Sequence, residues 1–210
     1  MSVGIEARWV AAQVGERRFH CDWVEGWRDH SDPEVRRRGE HAMRAWYAGM
    51  LRIPTQVPST ASVTDFACGP QSLLLTHPTL GRMVAVDPLE FLPEDERTYR
   101  ERGIERFVTP AEHYVGEPTD EVWMYNCLQH VIDWEATLRV ACRNAKDTLR
   151  LFEWIGVPTD ALHLHVLQES ELRRVLVAEG FRETLMVRGE TANQWSTPTT
   201  FYAAVWERVA

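Results

Sequence analysis

From Pro58 onward the chain alternates short apolar runs with helical stretches, then closes on two apolar runs with no helix between them. That order of elements limits the possible folds more than any single motif does. Strand runs are read at 62–66, 83–86, 106–108, 121–125 and 149–154, with helical segments at 71–76, 94–102 and 134–147 and a short turn after Ala111. Strands separated by helices in this way run parallel. One more helix, 169–179, stops at Gly180, which tolerates the left-handed conformation that ends helices. The last two runs, 181–188 and 200–208, have no crossover between them and must pair antiparallel. The pattern predicts an α/β fold: a seven-stranded, mostly parallel sheet with helices on both faces and an antiparallel C-terminal hairpin.

The first 54 residues read differently. They hold four of the nine tryptophans, Trp9, Trp23, Trp27 and Trp46, and Ile5, Trp9 and Ala12 recur at helical spacing. A second helix is expected to start at Ser31-Asp32-Pro33-Glu34, with proline just inside it, to carry an apolar stripe of Val35, Ala42, Met43, Trp46 and Met50, and to end before Pro54. The expected division is a helical cap at 1–54 and a sheet domain at 55–210.

With 44% hydrophobic and 26% charged residues in 210, the chain has ordinary globular usage, and no apolar run approaches the ~18 to 20 residues of a membrane helix. The net charge of −8 is uneven: residues 1–54 carry nine Arg against eight acids, so the negative charge lies beyond them. That distribution argues against a duplex-DNA footprint, and Arg36, Arg37 and Arg38 read as a solvated helix face. Glu6, Arg8 and Glu16 interrupt what a secretory leader would need, and Cys21, Cys68, Cys127 and Cys142 show no zinc spacing. Reduced thiols in a cytoplasm are expected. His163 and His165, joined by His20 or His130, have the residue types to ligate a metal but lack a nearby carboxylate cluster, so no metal is expected.

The segment VTDFACGPQS, 63–72, carries the strongest site signal. A strand ending in an acid, then a turn of small residues and a helix start, brings backbone close to a ligand and offers it N–H groups. Asp87, at the end of the next strand in MVAVDP, follows Gly69 by eighteen residues and can accept from both hydroxyls of a ribose. A nicotinamide-linked dehydrogenase shares these features, but its turn reads GxGxxG where this one reads ACGPQS.

Five βα units with a reversed final hairpin resemble the Rossmann-like domain of the class I S-adenosylmethionine-dependent methyltransferases, over about residues 58–210. NCLQHVIDWEATL is similar to small-molecule methyltransferases carrying a His-Val-x-Asp element after strand 4. The family pattern of an acid followed by three alternating glycines falls on Asp65, Ala67, Gly69 and Gln71, so two glycines are replaced. The resemblance implies S-adenosylmethionine as cofactor, held by Asp65, Ala67, Cys68, Gly69, Gln71 and Asp87, with Pro88 and Leu89 bordering the adenine. It implies Ala111 and Glu112 over the adenine and Asn126 and Cys127 near the methionyl end. Glu112 has a second reading as a solvated helix cap.

Methyl transfer from a sulfonium relies mainly on holding donor and acceptor in line in a dry site; a base helps where the acceptor must lose a proton. His130, just past strand 4, is the candidate, with packing under the next helix as its other reading; Glu153, near the end of strand 5, is the alternative. Trp23, Trp27 and Trp46 suit an apolar or aromatic small-molecule acceptor, a cap core or an association surface equally. The expected state is a monomer or homodimer. A non-catalytic binding scaffold, or an enzyme turning the sulfonium to another transfer, stands beside the methyltransferase because of the glycines lost at 67 and 71.

Overall fold

The computed structural model describes residues 4–28, 44–77, 81–192 and 198–209, apart from the side chains at 21–28, 192 and 198. The expected helix start at 31–34, the arginines at 36–38 and the stripe residues Val35, Ala42 and Met43 lie outside the described residues.

Seven strands form one sheet: β1 (Val63–Phe66), β2 (Met83–Val86), β3 (Ile104–Phe107), β4 (Thr119–Tyr125), β5 (Ala145–Ile155), β6 (Phe181–Ala192) and β7 (Pro198–Arg208). Their order is β3-β2-β1-β4-β5-β7-β6. All neighbouring pairs are parallel except the two made by β7, which runs against both β5 and β6. The strand order reverses between β1 and β4, and in such sheets a ligand crevice opens there, beyond the strands' C-terminal ends.

Each central strand is buried on both faces, as parallel sheets require. In β4, Val122 and Met124 join one core, while Trp123 and Tyr125 join the other. Helices α5 (Trp134–Asn144) and α6 (Glu169–Ala178) cover the first face. Asp133 caps α5 by accepting from the Ala136 N–H at 3.0 Å. α6 buries Leu172, Val175 and Leu176 and gives way to Gly180 in the left-handed region, φ 81°. On the second face lie α4 (Pro93–Glu101), which buries Tyr99, the helical residues 44–50 (α2), and the one-turn α3 (Ile53–Gln56). Helix α1 (Ile5–Arg28) lies across the C-terminal edge of the strands.

A buried ion pair fastens the N-terminal segment to the sheet. Arg150 of β5 reaches Glu121 of β4 through Nε at 2.7 Å and Nη2 at 3.0 Å, and both side chains are nearly inaccessible. The same guanidinium donates to the Leu51 carbonyl at 2.9 Å and to Gln56 Oε1 at 3.2 Å, so α3 and the turn before it are held by hydrogen bonds as well as apolar packing.

Several expected boundaries shift: β4 begins at Thr119, β6 runs on to Ala192 and β7 begins at Pro198. The helix expected at 71–76 is a single 3-10 turn, Leu73–Leu75. β5 starts at Ala145, directly after α5, so the helix expected to run to Asp147 ends at Asn144. β3 begins at Ile104, where Glu105 faces solvent and pairs with Arg82. Among the described residues no helix is long and apolar enough to cross a membrane, and no cluster of three or more His, Cys, Asp or Glu is placed to hold a metal ion.

Candidate active site

A cavity of about 680 Å³ opens where the strand order reverses. Its floor is the loops after β1, β2, β3 and β4, and its roof is α1, through Trp9, Gln13, Glu16, Phe19 and His20. α1 also meets the turn after β5: a Cβ added at Gly15 would stand 2.6 Å from Leu162 Cδ2.

One end is built around Asp87. Its Oδ2 accepts from the Gly69 N–H at 2.8 Å and its Oδ1 from the Leu89 N–H at 2.9 Å. These bonds fix the carboxylate and join the β1 and β2 loops, yet each oxygen keeps a second lone pair. Burial raises the Asp87 pKa, opposed by those two N–H groups and by Arg106. Arg106 of β3 holds the loop from behind, donating to the Asp87 carbonyl at 3.1 Å and to the Leu89 carbonyl, with its guanidinium 3.6 Å from the Phe91 ring centre. Pro88, Leu89, Pro110 and Ala111 line this end.

Ala67 and Gly69, both lining the cavity, are left-handed at φ 50° and 59°. The conformation is costly for an alanine, so Ala67 keeps the backbone path of a glycine while holding strain. The expected helix start offers the cavity fewer N–H groups than anticipated. Ser72 N–H donates to Tyr99 Oη, Leu73 N–H to Tyr125 Oη and Leu74 N–H to Ser72 Oγ. Asp65 does not line the cavity; it lies beneath the loop, accepting from Ser72 Oγ at 2.5 Å and Tyr125 Oη at 2.7 Å, with burial pushing its pKa up to about 7. The Cys68 thiol is buried and raised by that burial. Gln71 lines the cavity, and its buried Oε1 accepts no hydrogen bond.

The loop after β4 forms the next wall. Asn126 is left-handed, φ 52°, and accepts from Gln129 Nε2 at 2.9 Å. Glu153 supports this loop from below: its Oε1 accepts from the Cys127 and Leu128 N–H groups at 3.1 and 3.0 Å, and burial raises its pKa to about 7. It is not among the cavity-lining side chains. Burial likewise raises the Cys127 thiol. Glu112 does line the cavity, while its carboxylate accepts from the Ile132 N–H at 3.0 Å and from Thr137 Oγ1, ahead of and within α5.

Trp46, Tyr47 and Trp154 line the far end, with Trp46 and Trp154 stacked at 6.0 Å. The side chains of Trp23 and Trp27 lie outside the described ones. A further group lines the cavity: Glu16 and His20 from α1, with His20 close to Gly69, His130 from the β4 loop, and Asp160 and His163 from the turn after β5. His130 Nδ1 is 2.8 Å from Glu16 Oε1, His20 Nε2 is 3.7 Å from Glu16 Oε2, and the rings of His130 and His163 are 4.9 Å apart. The sequence suggested His163 with His20 or His130 only as metal ligands; the fold adds Glu16 and Asp160, which match no motif spacing.

No family model and no curated protein sequence matches the chain. Solved structures do. Magnesium protoporphyrin IX methyltransferase from Synechocystis PCC 6803, with bound SAH, superposes with a TM-score of 0.67 at 16% identity, covering 94% of this chain and 100% of that one. The 1,6-didemethyltoxoflavin-N1-methyltransferase of Burkholderia thailandensis, with 1,6-didemethyltoxoflavin and S-adenosylhomocysteine bound, gives a TM-score of 0.68 at 16% identity, covering 100% of this chain and 92% of that one. The cyclase SpnF gives 0.61 at 12% identity, covering 80% of each chain. The sheet order, the reversed β7 and these superpositions together give the chain the class I S-adenosylmethionine-dependent methyltransferase fold.

Proposed function

We propose that the chain binds S-adenosylmethionine at the Asp87 end of the cavity and transfers its methyl group to a small molecule held at the Trp46 end. The observation that carries this reading is the pair of acceptors left open in the cavity: the second lone pairs of the fixed Asp87 carboxylate and the unpartnered Gln71 Oε1. Those acceptors match the donors such a nucleoside carries, two ribose hydroxyls for Asp87 and the methionyl amino group for Gln71. Pro88, Leu89 and Ala111 would border the adenine, with Ala67, Cys68 and Gly69 along the methionyl chain and Asn126 and Cys127 toward its sulfur. The bound cofactor supplies an electrophilic methyl group on a sulfonium.

Everything else falls to the protein. Glu153 acts as a positioning residue, fixing the left-handed Asn126 turn through the next two N–H groups. Asp65 does the same for the β1 loop through Ser72. Residues 1–54 serve as a cap on the cofactor domain of 55–210. The α1 roof supports that role, excluding water so that alignment of donor and acceptor supplies most of the acceleration. Trp46 and Trp154 supply flat apolar surface to an acceptor, in keeping with the small-molecule methyltransferases that share the fold.

A second reading, a non-catalytic S-adenosylmethionine-binding scaffold or an enzyme using the sulfonium for another transfer, has specific support. Glycines are replaced at 67 and 71, the helix-start N–H groups are spent within the protein, and the fold also carries the cyclase SpnF. Calorimetry with S-adenosylhomocysteine tests the shared premise, and product analysis separates methyl transfer from other chemistry. Asp87→Ala is expected to weaken binding by about 1 to 3 kcal/mol, since bonds to a charged acceptor are lost. Unchanged affinity in that variant would mean that the ribose does not lie at Asp87.

A further inference from the structure

The sequence points to His130 as the base, but the structure places two histidines side by side in unlike surroundings. His163 Nδ1 is 3.0 Å from Asp160 Oδ2. That carboxylate is itself fixed, its Oδ1 accepting from the Leu162 and His163 N–H groups at 2.7 Å each. A carboxylate held in this way keeps the proton of a neutral imidazole on Nδ1 and leaves the Nε2 lone pair free. His130 Nδ1 lies 2.8 Å from the Glu16 carboxylate instead; its Nε2 is 3.3 Å from the Gln129 amide nitrogen, and a charged ring requires that amide turned so that its unpartnered Oε1 faces Nε2. Both rings line the cavity next to the Asn126 loop.

We propose that His163, oriented by Asp160, takes the acceptor's proton, that His130 stays protonated against Glu16 beside it, and that the acceptor is therefore a protic one, methylated at an N–H or O–H group. This rests on the methyl-transfer reading above. A lone pair of the acceptor heteroatom forms the bond to the methyl carbon, the carbon–sulfur bond breaks with its electrons left on sulfur, and the acceptor proton passes to His163 Nε2.

The electrostatics agree with the geometry. Burial would lower His130, but Glu16, Glu153 and the Leu162 backbone outweigh it and raise the ring above its ordinary value. Burial and the neighbouring His130 lower His163, with Asp160 and Glu16 opposing them in part. Burial would raise Glu16, yet His130, His20 and His163 together hold it below the usual carboxylate range. Adjacent groups driven apart in this way divide into a charged partner and a neutral base.

Imidazole nitrogen NMR on the ligand-free protein tests this without needing an acceptor, with His163→Gln and His130→Gln supplying assignments. His163 is expected to titrate below ~6.5 and His130 above it, and neutral His163 to carry its proton on Nδ1. In Asp160→Asn the side-chain oxygen keeps the two backbone N–H groups and the amide faces Nδ1, so the His163 proton should move to Nε2. Finding wild-type His163 protonated on Nε2, or His163 charged while His130 is neutral, would overturn the assignment. S-adenosylhomocysteine binding is measured in parallel: wild-type binding supports the premise, and its absence would remove the premise while leaving the ring states to be judged on their own.

Discussion

Replacing Arg150 by Met would strand Glu121 between β4 and β5, and the consequence follows from distances already in place. The variant loses the paired contact at 2.7 and 3.0 Å and both bonds that hold Leu51 and Gln56. Glu121 keeps only the Trp123 indole N–H, 3.0 Å from Oε2, in a site that excludes water. Removing one partner of a buried pair costs about 3 to 5 kcal/mol, because the remaining charge is unpaired and poorly solvated. Equilibrium urea denaturation measures this directly. Adding Glu121→Gln keeps an oxygen for Trp123 while removing the charge, so the double variant should recover at least about 2 kcal/mol of the loss. A single-variant loss below about 1 kcal/mol, or a double variant no more stable than the single, would refute the view that this pair anchors the N-terminal segment.

The raised carboxyls give pH predictions of the opposite sign to ordinary acid denaturation. Asp65 and Glu153 hold their protons to about pH 7 when folded, whereas an unfolded carboxyl loses its own near pH ~4. Between those values the native state binds more protons, so each group's contribution to stability falls as pH rises from about 4 to about 7, by at most ~1.4 kcal/mol per pH unit, and is level above. Glu153→Gln, which keeps an oxygen for the Cys127 and Leu128 N–H groups, should therefore gain stability relative to the parent between pH 5 and pH 8. A difference in urea midpoints independent of pH would contradict the buried, protonated Glu153. Gly69→Ala places a methyl group at φ 59° and 3.4 Å from the His20 ring, so it should destabilise by about 1 to 2 kcal/mol and weaken S-adenosylhomocysteine binding; thermal melts and calorimetry check both.

Much of the sheet was legible in the sequence because buried parallel strands are written as short apolar runs. β2 was read at its observed bounds, and the absence of a helix between 188 and 200 correctly announced the reversed pair. Gly180 marked the end of α6 because it takes a positive φ. The junction at Asn144 was hidden, since Lys146 and Asp147 read as helix surface whereas they begin a strand at its exposed end. The loop at 67–71 was visible as a motif, but not the use of the following Ser72 and Leu73 N–H groups by Tyr99 and Tyr125, which arrive from elsewhere in the chain. Arg106 was invisible as a loop support for the same reason. So were Glu16 and Asp160, and His163 read only as a metal ligand; their meaning comes from lying beside His130 in space.

The central claim, that the Asp87 end of the cavity receives S-adenosylmethionine or its demethylated product, is tested most directly by a crystal structure of the protein soaked with S-adenosylhomocysteine. The account predicts density for the ribose hydroxyls at the Asp87 carboxylate, the adenine against Pro88 and Ala111, and the amino group at Gln71 Oε1. Density for the nucleoside elsewhere, or a cavity without it at saturating concentration, would contradict the account.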